Sequence, residues 1–387
     1  MDIKEKIKLI ISHPPSQGDF GYYVRMAEQL GITAEAVRST CRRYNLPKIV
    51  PHIIKNNNNI MRDKTDLIEQ KLISLLKIKQ CTVEELSNEL KILPFEIRQL
   101  VKKLQSEKYN VNIVDDKYEL SSQVATGSPK KLDIKNWQGD ILKFGFVSDT
   151  HLGSKFERID VLNALYDLYE NEGIDTVYHG GNIIDGECYF NKYEIHTRGM
   201  TPQVEYCINN YPTRKGVKTL FITGDDHEGW YIQRERINIG EYIQMKAERI
   251  GRSDLIYIGH VEADIGLGDG DKSWMRIMHG GGGTAYALSY TPQKIVESYQ
   301  GGEKPRILLL GHYHKIDYCF PREVHVVQMG CVEDQTIFMR KKKIQAHIGG
   351  GILEIRQAPD GSINRIKVEY ITFFDKGFYK GKDKYWK

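Results

Sequence analysis

Five segments of the sequence carry Asp, Asn and His side chains directly after a strand-like apolar run. They are Asp149-Thr-His151, Asn182-Ile-Ile-Asp185, Asp225-Asp226-His227, His279 with four glycines after it, and His312-Tyr-His314. Carboxylate, amide and imidazole groups together suit Mn, Mg, Fe and Zn ions. Since side chains alternate along an extended segment, the Asp-x-His and His-x-His spacings place both ligands on one side. The pattern predicts a pair of divalent cations, a site that activates water and holds phosphate oxygens during displacement.

The elements that must position these residues alternate along the chain from about residue 141. Strand-like runs such as ILKFGFVSD, TVYHGG, TLFITG and RILLLG alternate with helical runs such as VLNALYDLYENEG and EYIQMKAERIG. This alternation predicts an α/β domain. In open α/β sheets, ligands bind beyond the carboxyl ends of the strands, so we expect the five segments to meet at one edge. The alternative is five unrelated polar clusters, which their regular placement at strand ends disfavours.

The five segments resemble the motifs of the calcineurin-like metallophosphoesterase superfamily, which read D-x-H, G-D-x-x-D, G-N-H-D/E, H and G-H-x-H. The resemblance covers about residues 141–335 and implies a β-sandwich flanked by helices, in a domain spanning residues 140–387 with a basic, aromatic C-terminal tail. It also implies two divalent metal ions, Mn foremost, with Mg, Fe or Zn as alternatives. The implied ligands are Asp149, His151 and His314 for the first metal, and Asp226, His279 and His312 for the second, with Asn182 at the bridging position. The resemblance further implies that His227 protonates the leaving oxygen and that Asp185 orients His227 or tunes its charge.

Two positions depart from the superfamily pattern. Asn182 stands where the family has a bridging aspartate, and G-D-D-H replaces G-N-H, so that Asp225 or, in our interpretation, Asp226 fills the asparagine position. An amide offers one good ligand oxygen, so we expect Asn182 to loosen the metal pair. Three explanations are open: the carboxylate and the amide have exchanged places, Asn182 is an engineered replacement of an aspartate, or the natural chain is inactive. We favour the second slightly, because the other ligand positions are intact or conservatively filled.

The N-terminal segment 1–54 is expected to form a DNA-binding module. The run YYVRMAEQLGITAEAVRSTCRRYN is typical of two short helices around a Gly-Ile-Thr turn and resembles a helix-turn-helix, with residues 33–45 as the recognition helix. The side chains then available to DNA are Arg38, Ser39, Arg42 and Arg43. The alternative is a helical hairpin with a charged outer face.

A second module is predicted over residues 65–122, after a polar linker over 55–64. Its sequence indicates three helices, the second capped by Thr82, and then a β-hairpin around Asp115-Asp116. This order resembles a winged helix, in which Arg98, Lys102 and Lys103 could contact DNA phosphates. A winged helix that binds protein instead is the alternative. The polar segment 123–139 is predicted to be a second linker.

Composition and charge narrow the class of protein. The 387 residues carry a formal net charge of +4, with a mild basic excess in the N-terminal third and a basic run at residues 340–343 that could guide a nucleic-acid backbone. No apolar run is long enough to span a bilayer, and no signal peptide is evident. The 6 cysteines lie far apart without a C-x-x-C pair, which favours reduced thiols and a cytoplasmic location.

Together these features predict a DNA-binding, metal-dependent nuclease that hydrolyses phosphodiester bonds. The loosening of the metal pair expected from Asn182 would impair this activity. The expected partner is DNA, as a duplex or a single strand, with a homodimer or a protein partner left open and no membrane contact. Two alternatives stay open. One is a DNA-binding regulator with an inactive phosphoesterase scaffold, and the other is a phosphatase or phosphodiesterase of nucleotides or protein.

Overall fold

The computed structural model describes residue 37 and residues 57–127, 132–133, 141–267, 273–358 and 362–374. The helix-turn-helix predicted over 1–54 lies outside the described residues except for position 37, and so do its Arg38, Ser39, Arg42 and Arg43. The C-terminal tail beyond residue 374 also lies outside them. Among the helices of the described ranges, none combines the length and apolar character needed to cross a bilayer.

Three helices and a hairpin form the first part of the described chain, in the predicted order. They are α1 (Asn57–Ile78), α2 (Val83–Leu90), α3 (Pro94–Ser106), β1 (Val111–Val114) and β2 (Lys117–Leu120). The Thr82 hydroxyl accepts from the Glu85 N–H and the Glu85 carboxylate accepts from the Thr82 N–H, which is the predicted cap of α2. Asp115 and Asp116 both have positive φ, as the two central residues of a type I′ hairpin turn require.

The linker predicted over 55–64 is wrong for residues 57–64, because α1 begins at Asn57. The run of asparagines suggested a linker by composition, yet each Asn costs a helix only a few tenths of a kcal/mol. The run contains neither Gly nor Pro to end a helix. Further along α1, Leu72 and Leu76 are buried with Leu86, Ile97 and Leu104 of the next two helices.

Two six-stranded sheets form the rest of the described chain. Their strands are β3 (Leu132–Asp133), β4 (Ile141–Val147), β5 (Thr176–His179), β6 (Lys218–Thr223), β7 (Leu255–His260), β8 (Glu262–Gly266), β9 (Trp274–His279), β10 (Ile307–Gly311), β11 (Ile316–Cys319), β12 (His325–Met329), β13 (Ile348–Gln357) and β14 (Ile363–Phe373). The first sheet has the order β14-β13-β4-β5-β6-β7, and the second has the order β11-β12-β10-β9-β8-β3. Strands β4 to β7 are parallel, as are β9, β10 and β12.

Helices cover the outer faces of the two sheets. The described helices here are α4 (Ile159–Asn171), α5 (Met200–Asn210), α6 (Gly229–Glu235), α7 (Ile239–Arg249), α8 (Tyr290–Ser298) and α9 (Ile337–Lys342). Phe144 and Phe146 of β4 meet Ile277 and Leu309 of the second sheet in the core between the sheets. The alternate residues of β4 and its neighbours pack against α4, α5 and α7. The structure is therefore a β-sandwich flanked by helices, and the α/β prediction is confirmed.

The segment predicted as a linker over 123–139 contributes an edge strand to the second sheet. Leu132 and Asp133 form β3, which pairs in parallel with Ile265 and Gly266 of β8. The prediction is therefore wrong at these two positions. A strand of two residues is too short to produce an alternating pattern of apolar and polar residues. The polar composition of the segment therefore determined the prediction of a linker.

Candidate metal centre

Five strand ends deliver the predicted site residues, and both sheets contribute. Asp149 and His151 follow β4, the segment from 180 to 185 follows β5, and Asp226 and His227 follow β6. From the second sheet, His279 ends β9 and His312 and His314 follow β10. Because parallel strands point their carboxyl ends the same way, the five segments converge at one end of the sandwich. Among the described residues, three groups of possible metal ligands result: Asp149, His151 and His314; Asp226, His279 and His312; and His151 with Asp185 and His227, which shares His151 with the first.

The first cluster consists of Asp149, His151 and His314. Nε2 of His314 lies 3.3 Å from Oδ1 of Asp149, and Nε2 of His151 lies 3.7 Å from the same oxygen. The two Nε2 atoms are 3.2 Å apart. All three side chains are buried. Burial would raise the pKa of Asp149, but the neighbouring His314 and His151 hold it well below its usual range, so the carboxylate is ionised.

The second cluster consists of Asp226, His279 and His312. Oδ1 of Asp226 lies 3.3 Å from Nε2 of His279, and Oδ2 lies 3.2 Å from Nδ1 of His312. Burial would raise the pKa of Asp226, and the two imidazoles outweigh burial and lower it well below the usual value. Asp226 is therefore the carboxylate of this cluster, at the position where the superfamily pattern has an asparagine.

Asn182 lies between the two clusters. Its Nδ2 donates to Oδ1 of Asp149 at 3.4 Å, while its Oδ1 is buried and has no hydrogen-bond partner. A Cβ built on Gly224 would lie 2.6 Å from this Oδ1 and 2.9 Å from Nε2 of His279. Gly224 is therefore needed for the close approach of Asn182 and the second cluster.

Hydrogen bonds on the far side of the imidazole rings leave the facing nitrogens free to bind a cation. Nδ1 of His151 bonds Oδ1 of Asp185 at 3.0 Å, and Nδ1 of His279 bonds the Gly180 carbonyl at 2.7 Å. Nε2 of His312 bonds the Gly282 carbonyl at 2.9 Å. Since each far nitrogen can donate its proton to an oxygen, the facing nitrogen is the one that would bind a cation once it has released its own proton.

Several polar atoms of Asn182 and the second cluster have no hydrogen-bond partner, which is expected of atoms that bind a divalent cation. Among the described residues, buried atoms without a hydrogen bond include Oδ1 of Asn182, Oδ1 of Asp226, Nε2 of His279 and Nδ1 of His312. A buried polar atom left unpaired costs about 1–3 kcal/mol, so such a cluster is explained by a group that all of them bind. Imidazole, carboxylate and amide donors suit Mn, Fe and Zn ions.

The backbone at the site is strained. Positive φ values are rare for residues other than glycine and cost about 1–3 kcal/mol each. Five of the predicted ligands have them: Asp149 (52°), His151 (45°), Asn182 (53°), His312 (79°) and His314 (52°). The surrounding hydrogen bonds hold this conformation; for example, the His312 N–H donates to Oδ2 of Asp149 at 2.9 Å. Strain concentrated at these ligands indicates a site shaped for function rather than for stability.

His227 and Asp185 lie beside the first cluster. Nδ1 of His227 lies 2.9 Å from both the main-chain oxygen and Oδ1 of Asp185. The rings of His227 and His151 are 4.3 Å apart between centroids. The His227 side chain is 18% exposed, whereas that of Asp185 is buried. The structure thus brings together the pair that the sequence predicted as proton donor and orienting carboxylate.

Two buried glutamates support the site and were given no role from the sequence. Glu228 accepts hydrogen bonds from the N–H groups of Asn182 (2.9 Å), Ile184 (3.2 Å) and Gly224 (2.8 Å), so it ties the loops after β5 and β6 together. Glu333 accepts from the Ser154 hydroxyl at 2.6 Å and lies 3.9 Å from Nε2 of His151. Burial raises the pKa of each carboxyl to about 7. The position of Glu228 after His227 was the signal that could have identified it.

The predicted DNA contacts of the second module lie on α3. Arg98, Lys102 and Lys103 are exposed, whereas Ile97 and Val101 of the same helix are buried. Lys103 lies 3.9 Å from Glu107. One face of α3 is therefore basic and open to a partner.

Comparison with known proteins finds similarity among solved structures. No family model and no curated protein matches the chain. An archaeal phosphodiesterase is 15% identical with a TM-score of 0.32, over 59% of this chain and 99% of its own. A predicted phosphoesterase from Streptococcus pneumoniae is 14% identical (TM-score 0.27; 60% of this chain, 98% of its own). Vps29 complexed with zinc, from Entamoeba histolytica, is 12% identical (TM-score 0.28; 60% of this chain, 100% of its own). These values are too low to assign a family, and the function is inferred from the geometry of the site.

Proposed function

We propose that this chain is a metal-dependent phosphoesterase of the calcineurin-like type that hydrolyses phosphodiester bonds in DNA. The observation that carries the proposal is the pair of His/His/Asp clusters at one end of the sandwich. Between them and in the second cluster, Oδ1 of Asn182 and three facing donor atoms have no hydrogen-bond partner. Two neighbouring cation sites suit in-line displacement at phosphorus, because both the attacking and the leaving oxygen carry charge in that reaction.

The residues divide between two cations. Asp149, His151 and His314 would hold one, and Asp226, His279 and His312 would hold the other, with Oδ1 of Asn182 between them. When bound, a pair of Mn ions would acidify water and neutralise charge on the phosphate oxygens. Mn is the first choice for this mixed nitrogen and oxygen donor set, with Fe, Zn or Mg as alternatives.

His227 is placed to supply a proton to the leaving oxygen. Asp185 fixes its Nδ1, which leaves Nε2 as the nitrogen that can donate to a substrate. The partial exposure of the His227 ring at the edge of a buried cluster allows substrate to reach it. Asp185 also bonds His151, so one carboxylate orients both the ligand and the proton donor.

The choice of DNA as substrate rests on the N-terminal part of the chain. The exposed basic face of α3, with Arg98, Lys102 and Lys103, lies in a three-helix and hairpin arrangement of the kind that resembles a winged helix. The predicted helix-turn-helix with Arg38, Ser39, Arg42 and Arg43 would add a second contact. Cations on exposed helix faces bind phosphates through charge and release of counterions.

A panel of nucleic acids tests the proposal. Single-stranded, duplex and hairpin DNA, and RNA, are incubated with the full chain in Mn or in EDTA. We expect Mn-dependent cleavage of DNA that His279→Asn abolishes and His325→Asn leaves intact, since His325 lies on β12 away from the clusters. Cleavage that persists in EDTA or in His279→Asn contradicts the proposed site.

Asn182 specifically favours a second candidate function, a DNA-binding protein with an inactive phosphoesterase scaffold. An amide between the clusters supplies less charge than a carboxylate would. This candidate predicts salt-dependent DNA binding with no hydrolysis in any metal. A chain that hydrolyses small nucleotides but shows no salt-dependent duplex binding would instead indicate a nucleotide phosphatase.

A further inference from the structure

Exposed aromatic rings continue outward from the proton donor of the metal centre. The ring of Phe190 lies 5.5 Å from that of His227 and 5.4 Å from that of Phe338, between centroids. Tyr189 is 79% exposed and Phe338 is 39% exposed. We call Tyr189, Phe190 and Phe338 the aromatic strip. Exposed aromatic groups that adjoin a catalytic site are typical of a binding surface rather than of a core.

The strip is held in place by the site itself. The Asn191 side chain is buried, and its Oδ1 accepts from the N–H of Cys188 at 2.9 Å. Its Nδ2 donates to the main-chain oxygen of Asp185 at 3.0 Å and to Oδ2 of Asp185 at 3.2 Å. The loop that carries Tyr189 and Phe190 is therefore tied to the residue that orients His227. On the other side, Thr336 caps α9, which carries Phe338.

Positive charge lies directly next to the strip. The last turn of α9 carries Arg340, Lys341 and Lys342, all exposed, and Lys343 follows it. Within the part of the chain that the structure describes, none of these four side chains makes an ion pair. Cations without acidic partners beside exposed rings match a polyanion that also has flat, apolar groups.

We propose that the aromatic strip stacks on unpaired bases of single-stranded DNA while the basic turn of α9 holds its phosphates, which directs the strand to the metals. This inference rests on the proposed function and names its substrate form. A duplex keeps its bases stacked inside, so only an unpaired strand can offer base faces to these rings. Stacking tolerates any sequence, because every base has a π-face.

Binding measured without hydrolysis tests the proposal. The anisotropy of a labelled oligothymidylate and of a labelled duplex is followed in EDTA with the full chain. Tyr189→Ala and Phe338→Ala should each weaken single-strand binding by about 5- to 100-fold, the range expected for one lost stacking contact. Phe338→Trp should retain binding. Phe320→Ala is the matched control, because Phe320 is 51% exposed but packs on His325 away from the strip.

The outcomes separate this inference from the proposed function. Two results together support the inference, even if the chain hydrolyses nothing. Both alanine variants lose affinity for the single strand but not for the duplex, and Lys341→Ala reduces the slope of log K against log salt by about 0.7. Wild-type affinity in both variants, or an equal loss for the duplex, overturns it even if Mn-dependent cleavage is observed. If the aromatic strip binds protein instead of DNA, both alanine variants keep wild-type affinity for the single strand, which is one of the two results that overturn the proposal.

Discussion

Replacing Asn182 with aspartate tests how the two clusters share charge. The amide donates to Oδ1 of Asp149 at 3.4 Å, so Asn182→Asp sets two carboxylates at about that separation. At an effective dielectric constant of about 20, two such charges repel by about 5 kcal/mol. Uptake of a proton limits the cost: raising a carboxyl pKa from about 3.9 to 7 corresponds to about 4 kcal/mol. We therefore expect a loss of about 2–4 kcal/mol in the free energy of unfolding without metal.

Bound metal should reverse this loss, because a cation between two carboxylates replaces repulsion with attraction. Thermal unfolding in EDTA and in Mn measures both effects. The variant should melt about 4–8 °C below the Asn182 chain in EDTA and should gain more from Mn than the Asn182 chain does. Phosphodiesterase activity with Mn should be at least about tenfold higher in the variant, because the loss of a metal ligand or of its supporting group usually costs at least that factor.

Asn210→Asp provides the matched control, because Asn210 lies at the exposed end of α5, far from the clusters. It should change neither the melting temperature in EDTA nor the response to Mn by more than about 1 °C. If Asn182→Asp melts like the Asn182 chain in EDTA and gains nothing further from Mn, Asn182 does not lie between two cation sites.

Three further predictions concern the proton donor, the buried Glu228 and the basic face of α3. His227→Asn should lower kcat for phosphodiester hydrolysis by about 10²–10⁴-fold while the Mn content stays unchanged. An equal loss of Mn would show that His227 is a metal ligand rather than a proton donor. Glu228→Gln should lower the free energy of unfolding in urea by about 1–3 kcal/mol, because three buried N–H groups share its carboxylate, and an unchanged midpoint would contradict that role. Arg98→Ala combined with Lys102→Ala should reduce the slope of log K against log salt for duplex DNA by about 1.8, and an unchanged slope would exclude α3 from DNA binding.

The sequence was sufficient to predict the site's ligands as neighbours. Polar residues after neighbouring parallel strands lie at the same edge of their sheet, which applies to Asp149 and Asn182 in one sheet and to His279 and His312 in the other. The contact between the two sets depends on how the sheets pack. The helix-flanked sandwich and the hairpin around Asp115-Asp116 also followed from local patterns. What could not be read was the left-handed backbone of the ligands, since φ depends on the packing of both sheets rather than on residue type.

Residues that act over long sequence distances were harder to identify. Glu333 reaches His151 from a segment that carries no motif, and Phe338 reaches Phe190 across 148 positions of sequence. Their roles arise only when the two sheets pack. The edge strand at Leu132–Asp133 was missed for a related reason, because its pairing with β8 depends on a partner far along the chain.

The central claim is that two His/His/Asp clusters hold two cations at one end of the sandwich. A crystal of the full chain soaked in Mn, with anomalous diffraction recorded at the Mn absorption edge, tests it most directly. We expect two anomalous peaks, one among Asp149, His151 and His314 and the other among Asp226, His279 and His312. A map with no peak at either cluster, or with Mn bound only elsewhere on the chain, would contradict it.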